Sequence, residues 1–464
     1  MLSKQKDIKY YLEKYFFITC LICYFFFWDI KFNIYNNFVF SLREIFYLLF
    51  FYILFNYKSK FYKYYLTFFV VFAILFLHIF FSNNLSLDRM QIVYNLVPIF
   101  FIALIILICT SSAYKIIARL QTAFILFIYF FIFTLFFSKF YSLGINEQFR
   151  VCNLIYYKAL NQLIFLEPSH IGMVLVPFIY YYFSSSINKN YLNKIILLIL
   201  IIFTFVFFYS VTLYFSLFIM FFLTLIINYR FFVVNKLFFF LQLLLLILPI
   251  FYKSCLFKVY GVFDFVNTQH IVSKNETKSK NETESKNETE SKKKLSRDQV
   301  YLYSKNHTGT EVNEYIKRNV DSFPVDNSAN YNDHTIAVLV NALKVLIFSI
   351  QEKFFGWGLN NYQIAFHEFM LKDIIPPFQE IYYLNYNDGS NNFIKLVVEF
   401  GFFSLIIFIN LLFFLFNKNI LYQEKILFGG IIITQMARGA GYFNGGFLLC
   451  LIMTFVLNYN SFKK

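Results

Sequence analysis

The sequence predicts an all-α polytopic membrane protein, and three observations predict it. Of its 464 residues, 59% are hydrophobic and only 14% are charged, whereas a soluble domain has about 45–50% and about 25%. That little charge cannot cover a soluble core. Apolar runs of roughly 17–25 residues recur along most of the chain, long enough to cross a ~30 Å hydrocarbon layer. Strict apolar–polar alternation is absent, so the backbone must satisfy itself in helices and not in a barrel. The 70 Phe and 37 Tyr are taken as lipid-facing bulk, not as an aromatic ligand box.

Taken in order, the runs place spans near residues 15–30, 38–56, 64–82, 94–112, 120–138, 168–184, 194–210, 211–228, 237–253, 392–416, 426–437 and 443–459, about twelve in all. The first follows Lys4, Lys6, Lys9 and Lys14 and is not followed by a small-residue cleavage site. It therefore reads as an anchor and not as a removed signal. The stretch 194–228 is too long for one span and short for two, and it is divided at Ser210–Thr212. The 426–437 run is short, and Gly429, Gly430 and Gly439 mark it as a close-packed or broken helix. The Cys residues lie mostly inside apolar runs (Cys20, Cys23, Cys109, Cys450). Their spacing gives neither a disulfide framework nor a metal site.

The loop charges set an orientation. With the N-terminus in the cytoplasm, inside loops carry Lys58, Lys60 and Lys63; Lys115 and Arg119; Lys189 and Lys194; Arg230 and Lys236; Lys418 and Lys425; Lys463 and Lys464. Short outside loops hold only Lys31, Arg89, Lys139, Arg150, Lys158 and Arg438. This is the positive-inside pattern, and it puts both termini in the cytoplasm. It also accounts for the net charge of +15. Because the bases are dispersed, no nucleic-acid partner is expected.

Three parts follow: spans one to nine in 1–253, a large outer segment 254–391, and the last three spans in 392–464. The outer segment contains "KNETKSKNETESKNETESK" (Lys274–Lys292), a polar hexad repeat that cannot bury a core and is expected to be a solvated tether. Its N-E-T triplets are formal glycosylation acceptors, though repeat expansion suffices to explain them. Residues 335–350 carry apolar groups at helical spacing (Ile336, Leu339, Val340, Leu343, Leu346, Ile347, Ile350). They predict an amphipathic helix along the membrane surface. "FGWGLNNY" (Phe355–Tyr362) then breaks it.

Several polar groups stand out. "FLEPSHIG" (Phe165–Gly172) gathers Glu167, Pro168, Ser169 and His170 at the outer lip of a span. One reading is an ordinary helix start with Pro in the first turn. The other is a polar pocket in which Glu167, or His170 beside it, acts as a general base. Arg150, Arg318 and Arg438, with His334, also fall on the outer side. Arginine forks suit phosphate oxygens, and solvated loop charges are the alternative. Arg43–Glu44 and Lys395–Glu399 are ionisable pairs at membrane depth; the second, spaced i, i+4, can neutralise itself.

"FLEPSHIG" followed by an apolar span resembles the E-P-S signature of the O-antigen polymerase / O-antigen ligase superfamily. "KFFGWGLNNY" (Lys353–Tyr362) resembles its G-x-G element, and "DGSNNFIKLVVEFGFFSLIIF" (Asp388–Phe408) its next span with E-x-G. "RGAGYFNGG" (Arg438–Gly446) is similar to the Arg–Tyr link between its last two helices. The resemblance covers roughly Arg150 to the C-terminus. It implies a GT-C-like, inverting, metal-independent glycosyltransferase of the bacterial cytoplasmic membrane that needs no cofactor. Its substrates would be undecaprenyl-pyrophosphate-linked oligosaccharides, which it joins into surface polysaccharide on the outer face. Membrane lipid, a chain-length regulator and a flippase of the same pathway are the partners implied. Glu167 or His170 would take the acceptor proton. Arg150, Arg318, His334, Asn392, Arg438 and Tyr442 would hold pyrophosphate and glycan. The family often has an Arg where this chain offers His334, with Arg318 farther upstream. Ligases carry His-Asn where this chain has Asn391-Asn392, which favours a polymerase over a ligase. A flippase is the remaining alternative, disfavoured by the lack of half-chain repeats.

Overall fold

The computed structural model describes residues 2–28, 30–35, 38–56, 61–82, 89–140, 148–151, 154–157, 168–184, 194–199, 211–251, 334–371, 391–439 and 441–463. Glu167, Arg318, most of 194–210 and the repeat Lys274–Lys292 lie outside the described residues. The chain is mainly helical. Its principal helices are α1 Leu2–Phe26, α2 Leu49–Asn56, α3 Phe61–Ser82, α4 Arg89–Phe140, α5 Pro168–Ser184, α6 Val211–Asn228 and α7 Lys236–Phe251, then α8 His334–Glu352, α9 Tyr362–Leu371, α10 Asn392–Phe400, α11 Ser404–Phe416, α12 Gly430–Ala437 and α13 Phe447–Phe462. By length and composition, two stretches among the described residues, Leu96–Phe133 and Asn392–Phe416, suffice to cross a membrane. Shorter apolar helices include Gly172–Ser184, Thr212–Asn228 and Phe447–Phe462. These features point to membrane association.

The fold is not purely helical. β1 Lys31–Tyr35 pairs antiparallel with β2 Phe38–Ser41, and β3 Gln148–Val151 with β4 Leu154–Tyr157. The first hairpin corrects the expected helical span at 38–56. That stretch is β2, a tight 3-10 segment Leu42–Leu48, and only then α2. Local bonds explain the change: Leu42 N donates to Ile30 O at 3.1 Å, and Ser41 Oγ to Trp28 O at 2.8 Å. Phe46 is meanwhile drawn against Tyr24, with ring centroids 4.4 Å apart.

The two spans expected at 94–112 and 120–138 are the limbs of α4, which is non-helical at Ser112 (φ −130°, ψ 16°). Contacts with α1 show that the chain reverses there. Phe101 packs on Tyr47, next to the Tyr24–Phe46 contact. Lys115 bonds Glu13 toward the other end of α1. Phe127 then returns to stack on Phe26 at 3.9 Å.

Many aromatics taken as lipid-facing bulk are core. Phe25, Phe26, Phe124, Phe127 and Phe178 are fully buried and pack edge-to-face or stacked where α1, α4 and α5 meet. Such pairs add about 0.5–1.5 kcal/mol beyond area burial. α5 lies directly on α6: a Cβ on Gly172 would come within 2.7 Å of Leu213 Cα. A polar ladder joins α11 to α13. Asn410 Nδ2 donates to Thr454 Oγ1 (2.8 Å), Asn458 Nδ2 to Asn410 Oδ1 (2.8 Å) and Asn417 Nδ2 to Ser461 Oγ (2.6 Å). The partners advance together along both helices, so α11 and α13 run parallel. The predicted surface helix is α8. It buries Ala342, Val345 and Phe348 and exposes Leu339, Leu343, Ile347 and Ile350.

Candidate functional site

The link between α12 and α13, Gly441–Gly446, meets a different part of the molecule at almost every residue. Tyr442 is buried against α10: Lys395 Nζ lies 5.2 Å from its ring centroid, and its hydroxyl adjoins the Glu399 carboxylate. Phe443 meets Phe101 of α4. Asn444 Oδ1 accepts from Arg43 Nη1 of the 3-10 segment. Gly445 O accepts from Gln435 Nε2 at 2.8 Å, and a Cβ there would come within 2.9 Å of Val174 on α5. Gly446 abuts the Phe25 ring of α1. The small residues permit these approaches.

A backbone clasp lies next to the link. The G-W-G turn between α8 and α9 pairs with the E-F-G break between α10 and α11. Trp357 N donates to Val398 O (3.0 Å), Gly358 N to Glu399 O (2.9 Å) and Phe402 N to Phe354 O (2.9 Å). Two glycines allow the two backbones to touch. Gly356 has φ +83° and Gly401 φ +52°. A Cβ on either would strike the other strand: on Gly356, Glu399 C at 2.6 Å; on Gly401, Phe355 C at 2.7 Å. His78 of α3 adds a bond to Phe355 O (3.0 Å) and stacks on Phe400 at 5.3 Å.

The clasp positions the buried charge. Glu399 is fully buried; its Oε1 accepts from Tyr362 N at 3.3 Å at the start of α9 and lies 4.0 Å from Lys395 Nζ. The i, i+4 pair anticipated from the sequence is thus formed. Glu399 Oε2 and the Tyr442 hydroxyl sit side by side without a hydrogen bond of normal geometry. Burial, together with the adjacent carboxylate, holds the Tyr442 hydroxyl protonated well above its ordinary pKa. Asn391 caps α10 by accepting from Ile394 N at 2.7 Å. Asn392 is fully buried against Gly439, and neither atom of its amide has a partner among the described residues.

A groove of about 690 Å³ descends from this cluster between α3, the first limb of α4, α11 and α13. Leu359, Leu396, Phe400 and Tyr442 stand at its head, and Thr110, Asn460 and Lys463 at its foot. Its middle is almost wholly apolar. α13 runs its length, about 24 Å at 1.5 Å per residue.

The structure brings Asn392, Arg438 and Tyr442 together in this region. Arg438 follows α12, half-buried, with no side-chain partner among the described residues. His170 lies in the first turn of α5, its ring 4.6 Å from that of Trp28. α5 in turn packs on α12, where Thr434 Oγ1 donates to Met173 O at 3.1 Å. Arg150 pairs through its backbone with Ile155, and His334 opens α8; their side chains lie outside the described set. Glu167 and Arg318 also lie outside it. Sequence reasoning did not place Lys395, Glu399 or Arg43 in the site. The Lys395–Glu399 spacing was a usable signal, because membrane-depth charges gather at cavities. The sequence pairs Arg43 with Glu44, but adjacent residues point apart, and Arg43 bonds Asn444 instead. Comparison with family models, with curated proteins and with solved structures gave no match for this chain.

Proposed function

We propose that this protein is a multi-pass, GT-C-like membrane glycosyltransferase with about twelve spans and cytoplasmic termini. It polymerises undecaprenyl-pyrophosphate-linked oligosaccharide repeat units at the outer face of the bacterial cytoplasmic membrane. One observation carries the reading. The described parts of three stretches bearing the family resemblance, Lys353–Tyr362, residues 391–408 and residues 441–446, meet at the head of an apolar groove. A buried polar cluster above a long apolar slot suits a ligand with a polar head and a hydrocarbon tail.

The chemistry asks for two things. An acceptor hydroxyl attacks the anomeric carbon of the donor, and the bond from that carbon to the pyrophosphate oxygen breaks with inversion. A base, Glu167 or His170, takes the hydroxyl proton. The electron pair leaves with the pyrophosphate-lipid, stabilised by arginines, among them Arg438, Arg150 and Arg318. The donor is already activated, so the reaction draws on no nucleotide. Asn391 spends its side chain capping α10, where the related ligases place a histidine, and this favours the polymerase over the ligase.

Deletion in the native host followed by a gel of surface glycan tests the reading. A ladder that collapses to one repeat unit is expected. Long polymer retained on carrier lipid would reassign the protein as a ligase, and single units trapped on the inner leaflet as a flippase. Glu167→Gln and Arg318→Ala should each abolish elongation at unchanged protein level; normal ladders from both would remove those residues from the site.

A further inference from the structure

The site contains an arginine that the resemblance does not name. Arg43 is half-buried in the 3-10 segment Leu42–Leu48, beside the end of α1. Its Nη1 donates to Asn444 Oδ1, six residues along the link from Arg438. No carboxylate lies within ion-pair distance of Arg43 among the described residues. A guanidinium offers five N–H donors, and Asn444 engages one nitrogen. Tyr24, packed on Phe46 of the same segment, has a buried hydroxyl with no hydrogen-bond partner among the described residues. A half-buried arginine, fixed in place and without a counter-ion among the described residues, is a candidate anion site.

We propose that Arg43 binds the pyrophosphate of the lipid-linked donor together with Arg438, with Asn444 as the residue that positions it. The inference rests on the proposed function. It adds a further cation for the pyrophosphate leaving group, supplied from the N-terminal part of the chain, outside the stretch that carries the resemblance. The planar fork of arginine can take two phosphate oxygens at once, which lysine cannot. Asn444 holds the fork toward the link, and its own amide keeps the orientation fixed while the anion arrives and leaves.

The test is binding to the purified full chain in nanodiscs, with undecaprenyl pyrophosphate and neutral undecaprenol as paired probes. Arg43→Gln removes the charge and keeps an amide donor. It is expected to weaken undecaprenyl pyrophosphate binding on the order of tenfold and to leave undecaprenol binding unchanged. Arg43→Lys should recover part of the loss, and Asn444→Ala should cost only about threefold, as for one neutral hydrogen bond. Unchanged pyrophosphate binding in Arg43→Gln overturns the proposal. So does an equal loss of undecaprenol, which would mean damage to the groove, or an equal loss in Asn444→Ala, which would reduce Arg43 to a tether. Equal competition by phosphatidylglycerol would make Arg43 a headgroup contact and also end it. A deletion strain that keeps a normal glycan ladder, alongside Arg43-dependent pyrophosphate binding, would sink the polymerase and spare this site.

Discussion

Gly401→Ala should open the clasp between the α8–α9 turn and the α10–α11 break while leaving the helical bundle folded. Gly401 has φ 52° and ψ −129°, and its Cα faces Phe354 and Phe355 across the clasp. A methyl group there forces the strands apart, so the three backbone bonds made by Trp357, Gly358 and Phe402 are lost. At about 1 kcal/mol each they represent about 3 kcal/mol. A side chain at positive φ costs a further 1–2 kcal/mol, roughly. Local opening should therefore become easier by about 4 kcal/mol, close to a thousandfold at 1.4 kcal/mol per tenfold. Domains are stable by about 5–15 kcal/mol, so the rest of the fold persists. The assay is hydrogen exchange read by mass spectrometry on peptides covering 354–362, at a pH where the opening equilibrium sets the rate. Those amides should lose most of their protection in Gly401→Ala, whereas peptides from α5 and α13 keep theirs. Gly441→Ala is the control. It has φ +93° but open space around it, with Asn444 Nδ2 the nearest atom at 3.9 Å, so it bears only the conformational cost. If exchange at 354–362 is the same in Gly401→Ala as in the parent, the clasp does not hold the α8–α9 turn and the account of the G-x-G and E-x-G stretches is wrong.

Lys395→Met should lower stability by about 3 kcal/mol, because it leaves Glu399 buried without its cation, and Lys395→Met/Glu399→Gln should recover much of that loss in a detergent melt. A double-mutant cycle of Asn410→Ala and Asn458→Ala should give a coupling near 0.6 kcal/mol and no more than about 1.7, measured by denaturant titration in micelles. Burial pushes the Glu13 carboxyl up, but hydrogen bonds from Lys115 and Tyr52 and the Lys115 and Arg119 charges outweigh it, and its pKa is lowered. The folded value lies below the unfolded one, so this contribution is complete above about pH 5 and is lost as pH falls through the folded pKa. The pair is part-solvated, so the amount is at most about 1 kcal/mol. Glu13→Gln should flatten the acid limb of a melting-temperature profile by that amount.

Helices bounded by strong local signals were legible in the sequence. Pro168 in the first turn fixed the start of α5, and the divide near Ser210–Thr212 fixed the start of α6; both agree with the structure at those ends. The stretch 38–56 was misread because its apolar composition satisfies a length test, while its conformation is decided by Trp28, Tyr24 and Asn444, which are distant in sequence. α9 was missed for a similar reason. Its first backbone amide is bonded by Glu399, 37 residues away, while the side chain of Asn361 just before it turns back to Trp357 O. The motif residues were visible, but the way they assemble was not. Nothing local to "RGAGYFNGG" indicates that its asparagine meets Arg43, or that its tyrosine closes over Glu399 and Lys395.

The depth of the link follows from the length of the helix that precedes it. Residues 422–437 form one continuous helical stretch with a π turn at Lys425–Gly429. At 1.5 Å per residue this is about 24 Å, short of a ~30 Å hydrocarbon layer. On the proposed topology, the link therefore begins several ångströms below the outer surface. Irregular backbone at that depth is tolerated only where protein or a cavity surrounds it. Here α1, α4, α5 and α10 surround it, and the groove opens beneath it. A sunken link sets Tyr442 at the head of an apolar slot. A span of full length would lift the link into water, where arginine would bind an anion only weakly. On the proposed function, the shortness that makes this segment hard to assign from sequence is what would place its polar residues within reach of a lipid-linked substrate.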